Sequence, residues 1–146
     1  MTKTIYFDMD GTLADFYGVD GWLDSLLAED VRPYAEAKPL HNFSQLARLI
    51  HKVQARGVRV GIISALSKNG SENYQTDIMM TKLLWLKRHL PSVQFDEIHF
   101  CAYDAVKYDD ATDKDALLFD DEVRHHEAWG GTADFPAHIV QVLKSL

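Results

Sequence analysis

The chain has 146 residues, 47% of them hydrophobic and 25% charged, with a net charge of -7. That length suits one domain with a proper core and is too short for two comfortable ones. The acidic balance excludes a surface built for duplex nucleic acid, which needs clustered lysine and arginine, but not a phosphorylated substrate beside a divalent cation. The single cysteine, Cys101, rules out an internal disulfide, so a reducing, cytoplasmic setting is expected. The N-terminal apolar run is broken by Asp8, so no signal peptide is expected, and no stretch approaches the roughly 18 apolar residues of a membrane span.

In chain order, Thr4 to Phe7 reads as a short buried strand, followed by Asp8-Met9-Asp10-Gly11-Thr12-Leu13. Residues 14–40 mix aromatic side chains with glycine and proline and read as a small cap insertion over the end of the first strand, with a short helix over Trp22 to Ala28. Asn42 caps an amphipathic helix with Phe43, Leu46, Ala47, Ile50 and Val53 on one face, and Gly57 stops it. Val58 to Ile63 is the second strand and ends at Ser64. Ser67 to Gln75 reads as a loop. A helix follows from Asp77 to Leu90, capped by Thr76, with Met79, Leu83, Leu86 and Leu90 on one face. Phe95 to Cys101 is the third strand, and a short helix is expected after Val106. Ala116 to Phe119 is the fourth strand, ending at Asp120-Asp121. A short helix then reaches Trp129, and the last helix begins near Pro136.

Strands alternating with helices predict an α/β fold: a Rossmann-like parallel sheet with helices on both faces. Ligands in such sheets bind at the carboxyl ends of the strands. Asp8 and Asp10, Ser64, and Asp120 with Asp121 all follow strands, so they converge on one crevice although more than a hundred positions separate them.

These residue types suit phosphoryl transfer. An aspartate can attack phosphorus and form an acyl phosphate. A carboxylate approaching an anionic phosphate needs a cation, and Mg²⁺ takes hard oxygen ligands such as Asp8 and Asp120. Asp10 suits a general acid/base role. Gly11 and Thr12 would bring backbone N–H groups to phosphate oxygens, and Ser64 would donate a hydrogen bond to them. Two lysines compete to complete the site. Lys114 precedes the fourth strand, which puts it roughly 15 Å away across the sheet by strand rise. Lys107 follows the third strand, on the correct edge, and is preferred as the cation that would hold Asp8 and the phosphate together.

Asp8-Met9-Asp10-Gly11-Thr12-Leu13-Ala14-Asp15-Phe16 resembles the first motif of the haloacid dehalogenase superfamily of phosphohydrolases, and its continuation resembles the 5'(3')-deoxyribonucleotidase branch. Ser64, Lys107 and Leu117-Leu118-Phe119-Asp120-Asp121 match the second, third and fourth motifs in order. The resemblance implies Asp8 as nucleophile, Asp10 as acid/base, and a metal held by the Asp8 carboxylate, the Asp10 carbonyl and Asp120, with Asp121 as a supporting acid. It implies a small phosphorylated substrate, nucleoside monophosphates first.

Plainer readings stand beside these. Asp10-Gly11 alone suits a hairpin turn, and Asp120-Asp121 suits a helix start. Phe16, Tyr17, Trp22 and Tyr34 suit either a base-stacking pocket or the insertion's own small core. His125-His126-Glu127 lacks metal-binding helical spacing and reads as exposed helix surface. Cys101 reads as a buried small hydrophobe. Alternatives at the level of function are a phosphatase for another phosphomonoester, such as a sugar phosphate, a non-catalytic phosphate-binding homologue, and a phospho-accepting receiver domain. The last is disfavoured because no lone aspartate closes a middle strand.

Overall fold

The computed structural model describes residues 2–146. Five strands, β1 (Thr4–Phe7), β2 (Arg59–Ala65), β3 (Glu97–Cys101), β4 (Leu117–Phe119) and β5 (Thr132–Asp134), form one sheet in the order β3-β2-β1-β4-β5. Every pairing is parallel. β1 lies at the centre, and all four of its residues are buried.

Alternation along the strands divides the core into two layers. Ile5, Phe7, Val60, Ile62, Leu117 and Phe119 face α3 (Phe43–Ala55), α4 (Glu72–His89) and α7 (Ile139–Ser145) through Leu46, Ile50, Val53, Trp85, Leu86, Ile139 and Leu143. Tyr6, Ile63 and Leu118 face the other way, against Ala111 and Trp129. On that side lie α5 (Lys107–Asp110) and α6 (Val123–Ala128). Asn42 caps α3 as the sequence predicts, its side chain accepting from Gln45 N at 3.1 Å.

Residues 14–40 form a 3₁₀ turn at Phe16–Gly18 and two short helices, α1 (Trp22–Leu27) and α2 (Arg32–Glu36). The second is not evident from sequence, although Pro33 suits its first turn. Phe16 and Tyr34 pack with Tyr74 and Ile78 of α4, so the small core is shared with α4 rather than being the insertion's own.

α4 corrects two expectations. It starts at Glu72, with Ser71 as its cap, so the segment Glu72 to Gln75 is helix rather than loop, and Thr76 lies inside it. Its buried face is Tyr74, Ile78, Lys82, Trp85 and Leu86. Leu83 is exposed and Met79 half-buried. A lysine in the buried stripe disguised the register. β5 was also missed: three residues after two glycines carry no readable alternation.

Candidate active site

The parallel register aligns the strand ends. Phe7 pairs with Ile62 on one side and Phe119 on the other, so the chain leaves β1 and β4 at the same level, at Asp8 and Asp120. Asp8 N donates to Phe119 O at 2.9 Å, which locks the two acidic turns together. Carboxylate oxygens of Asp8, Asp120 and Asp121 lie within 4.8 Å of one another.

Lys107, the first residue of α5, reaches this cluster and is 2% exposed. Its Nζ donates to Asp8 Oδ1 at 2.8 Å and to Asp120 Oδ2 at 2.7 Å. Lys114 instead donates to the carbonyls of Tyr108 and Asp109, away from the site. Thr12 Oγ1 donates to Asp8 Oδ2 at 3.0 Å, with Asp121 Oδ1 at 3.4 Å.

Gly11 and Thr12 serve the site differently from the sequence reading. Their N–H groups are spent inside the turn, on Ala14 O and Met9 O. Gly11 has φ +84°, and a Cβ there would lie 2.3 Å from Asp121 Oδ2. The glycine therefore makes room for a carboxylate, and Thr12 contributes its hydroxyl.

Asp10 stands to one side, and the sequence reading did not name its partner. Lys82 Nζ donates to Asp10 Oδ2 at 2.9 Å, Ser64 Oγ at 2.6 Å and Ala65 O at 2.8 Å. Lys82 is 1% exposed. A charged residue at helical spacing within an apolar stripe (Tyr74, Ile78, then Lys82) is the one signal that marks it, because an unpaired buried lysine is untenable.

The electrostatics separate the two first-motif acids. Burial acts to raise the Asp8 carboxyl, but Lys107, both as a charge and as a hydrogen-bond donor, overrides it and holds Asp8 below the usual range. Burial raises Asp10, with Lys82 opposing and Asp8 reinforcing, and the result is above the usual range. Burial and the charge of Asp8 push Asp120 up to about 6 and Asp121 up to about 8. Lys107 is raised despite its burial because Asp8 and Asp120 flank it.

Lys107 thus bridges two of the three carboxylates, and Asp120 and Asp121 are both held above the usual carboxylate range for want of further positive charge. An all-oxygen donor set with excess negative charge fits a hard dication such as Mg²⁺. Asp121 belongs to the carboxylate cluster, where the sequence reading made it only a supporting acid. The Asp10 side chain lies outside that cluster.

The acids open onto a cleft of about 640 Å³. Phe16, Tyr17, Trp22 and Tyr34 line one side, and Tyr103, Arg124 and His125 are among the residues on its walls. His125 corrects the reading of an exposed histidine pair, since it is 6% exposed and faces the cleft. His126 binds Asp120 O through Nε2 at 2.7 Å. Cys101 is buried beside Ser64 O, with no part in the cleft. Among the described residues no helix is long and apolar enough to cross a membrane.

No family model and no curated protein matches the sequence. Among solved structures, D,D-heptose 1,7-bisphosphate phosphatase from Burkholderia thailandensis superposes with a TM-score of 0.53 at 16% identity, over 89% of this chain and 75% of that one. The D,D-heptose 1,7-bisphosphate phosphatase from B. bronchiseptica, complexed with magnesium and phosphate, gives 0.53 at 16% identity, over 90% and 78%. At that identity the likeness is one of fold: the chain shares a parallel α/β architecture with these structures.

Proposed function

We propose that the protein is a Mg²⁺-dependent phosphomonoester hydrolase that works through an aspartyl-phosphate on Asp8. One observation carries the reading: Asp8, gripped by Lys107 and Thr12, lines the cleft beside Asp120, and carboxylate oxygens of Asp8, Asp120 and Asp121 lie within 4.8 Å of one another. When bound, Mg²⁺ supplies the positive charge that lets a carboxylate meet a phosphate dianion. Asp8, Asp120 and Asp121 would hold it through their side chains, with the Asp10 carbonyl as a further oxygen.

The residues divide the work as follows. An Asp8 oxygen forms a bond to phosphorus while the bond from phosphorus to the leaving oxygen breaks. Asp10, whose burial favours its protonated form, gives that oxygen its proton. Asp10 then takes a proton from water as the water attacks phosphorus, and the acyl phosphate opens to Asp8 and inorganic phosphate. Lys107 keeps Asp8 ionised and oriented. Lys82 holds Asp10 and the Ser64 hydroxyl in register with each other.

Nucleoside monophosphates are the favoured substrates. The cleft has room for a nucleoside, and Phe16, Tyr17, Trp22 and Tyr34 offer aromatic surface against which a base would stack. In this reading residues 14–40 act as the cap. A sugar phosphate is the second reading, favoured by the substrate named for both fold neighbours.

The test is phosphate release from a panel of nucleotides, sugar phosphates and p-nitrophenyl phosphate, with and without Mg²⁺. Asp8→Asn should lose at least about a thousandfold in kcat. Equal release by wild type and variant refutes the enzyme reading. Base preference should weaken in Trp22→Ala and Phe16→Ala, and unchanged selectivity in both would exclude the stacking role.

A further inference from the structure

His125 is a buried side chain that the phosphoryl chemistry leaves unused. It stands on the first turn of α6, a helix indexed to the acid cluster by two bonds. Glu122 N donates to Asp120 Oδ1 at 2.9 Å, and the His126 ring meets Asp120 O at 2.7 Å. The placement of α6 relative to the acid cluster is therefore fixed by the fold.

Among the described residues the His125 ring makes no hydrogen bond. Glu122 Oε2 is 3.5 Å from Nε2, and that carboxylate is already engaged by Arg124 Nε at 2.5 Å. Among the described residues every fully buried side-chain nitrogen or oxygen has a partner, so the unpartnered ring nitrogens must meet solvent. With 6% of the residue exposed and the residue on the cleft wall, that solvent is the cleft's. Arg124 is itself held in place, stacked 4.7 Å from the Tyr103 ring and bonded to its carbonyl.

Burial, Lys107 and Arg124 push the ring's pKa down to about 4, so it is neutral at pH 7. A neutral imidazole presents one N–H and one lone pair. Such a pair matches a hydroxyl, which both donates and accepts. A phosphate dianion, which only accepts, would use just one half of that pair.

We propose that His125 is a specificity-determining residue that hydrogen-bonds a hydroxyl of the leaving group, so that the enzyme selects phosphomonoesters of hydroxyl-bearing alcohols such as nucleosides or sugars. The inference rests on the phosphatase reading above. It names one feature of the substrate that the aromatic wall cannot read, because stacking surfaces do not sense a hydroxyl.

The experiment measures kcat/KM for matched pairs that differ by one hydroxyl: thymidine and 3'-deoxythymidine 5'-monophosphate, uridine and 2'-deoxyuridine 5'-monophosphate, and ribose and 2-deoxyribose 5-phosphate. Wild type should prefer the hydroxylated member of at least one pair by about tenfold or more, the usual scale of a site hydrogen bond left unmade. His125→Leu should bring that ratio below about threefold, and His125→Asn, which keeps a donor and an acceptor, should restore part of it. A variant that loses only structure would slow both members of a pair alike and leave the ratio where it was. Ratios unchanged in both variants overturn the inference while p-nitrophenyl phosphate hydrolysis, abolished by Asp8→Asn, still supports the phosphatase reading. Absence of any Asp8-dependent hydrolysis overturns both.

Discussion

Replacing Lys82 with methionine isolates the role of the hidden cation. Methionine approximates the lysine stem, so packing in the α4 stripe is largely kept, while three acceptors lose their donor: Asp10 Oδ2, Ser64 Oγ and Ala65 O. Removing one partner of a fully buried ion pair costs about 3–5 kcal/mol. Asp10 keeps 20% of its side chain exposed and can escape by taking a proton, so about 2–3 kcal/mol is expected at pH 8. The sign with pH follows from linkage. Asp10 is raised in the folded chain, so the native state binds the extra proton and stability falls as pH rises from the ordinary carboxylate range through the folded value. Without Lys82 that value climbs further, and the deficit against wild type widens with pH. At pH 5, closer to the range in which Asp10 takes up its proton, the loss should shrink by about 1 kcal/mol, a little under the roughly 1.4 kcal/mol of a tenfold change in proton affinity. Urea unfolding of both chains at pH 5 and pH 8 measures this. The alkaline limb of kcat/KM should move to higher pH, because the acid that protonates the leaving oxygen holds its proton longer. Equal deficits at the two pH values, together with an unmoved alkaline limb, would refute the reasoning.

Mg²⁺ should bind more tightly as pH rises from 6 to 8, because Asp120 near 6 and Asp121 near 8 must shed protons to act as ligands. Calorimetry in buffers of different ionisation heat should show proton release, and a pH-independent Kd would exclude these carboxylates. Chelation should abolish turnover and lower Tm, with both restored by Mg²⁺. Gly11→Ala combines a left-handed backbone with a Cβ 2.3 Å from Asp121 Oδ2, so it should cost about 1–3 kcal/mol and weaken Mg²⁺ binding by displacing Asp121. An unchanged Tm and Kd would mean that the turn relaxes without disturbing the acid. Lys107→Met leaves Asp8 and Asp120 buried without their shared cation, and metal-free protein should lose about 3–5 kcal/mol by denaturant unfolding, with part regained on adding Mg²⁺.

By itself the sequence determined what obeys short-range rules. The parallel α/β class, the strand at Thr4–Phe7, the strand read from Ala116 and observed at Leu117–Phe119, and the capped helix from Phe43 follow from alternation, helical spacing and an Asn cap, all of which act within a few residues. A strand ending in acids announces a polar crevice, so Asp8, Asp10, Ser64, Lys107 and Asp120 could be named before any coordinates. Tertiary structure alone decided who meets whom. Lys82 reads as a misplaced charge on α4 until the helix docks and brings it to Asp10, 72 positions away. His125 reads as surface until α6 folds against the cleft, and Asp121 joins the acid cluster only because Gly11 leaves space for it. The physical reason is common to all three. A buried ionisable group is stable only beside a partner, and the partner arrives by packing between elements, whose outcome no local pattern encodes.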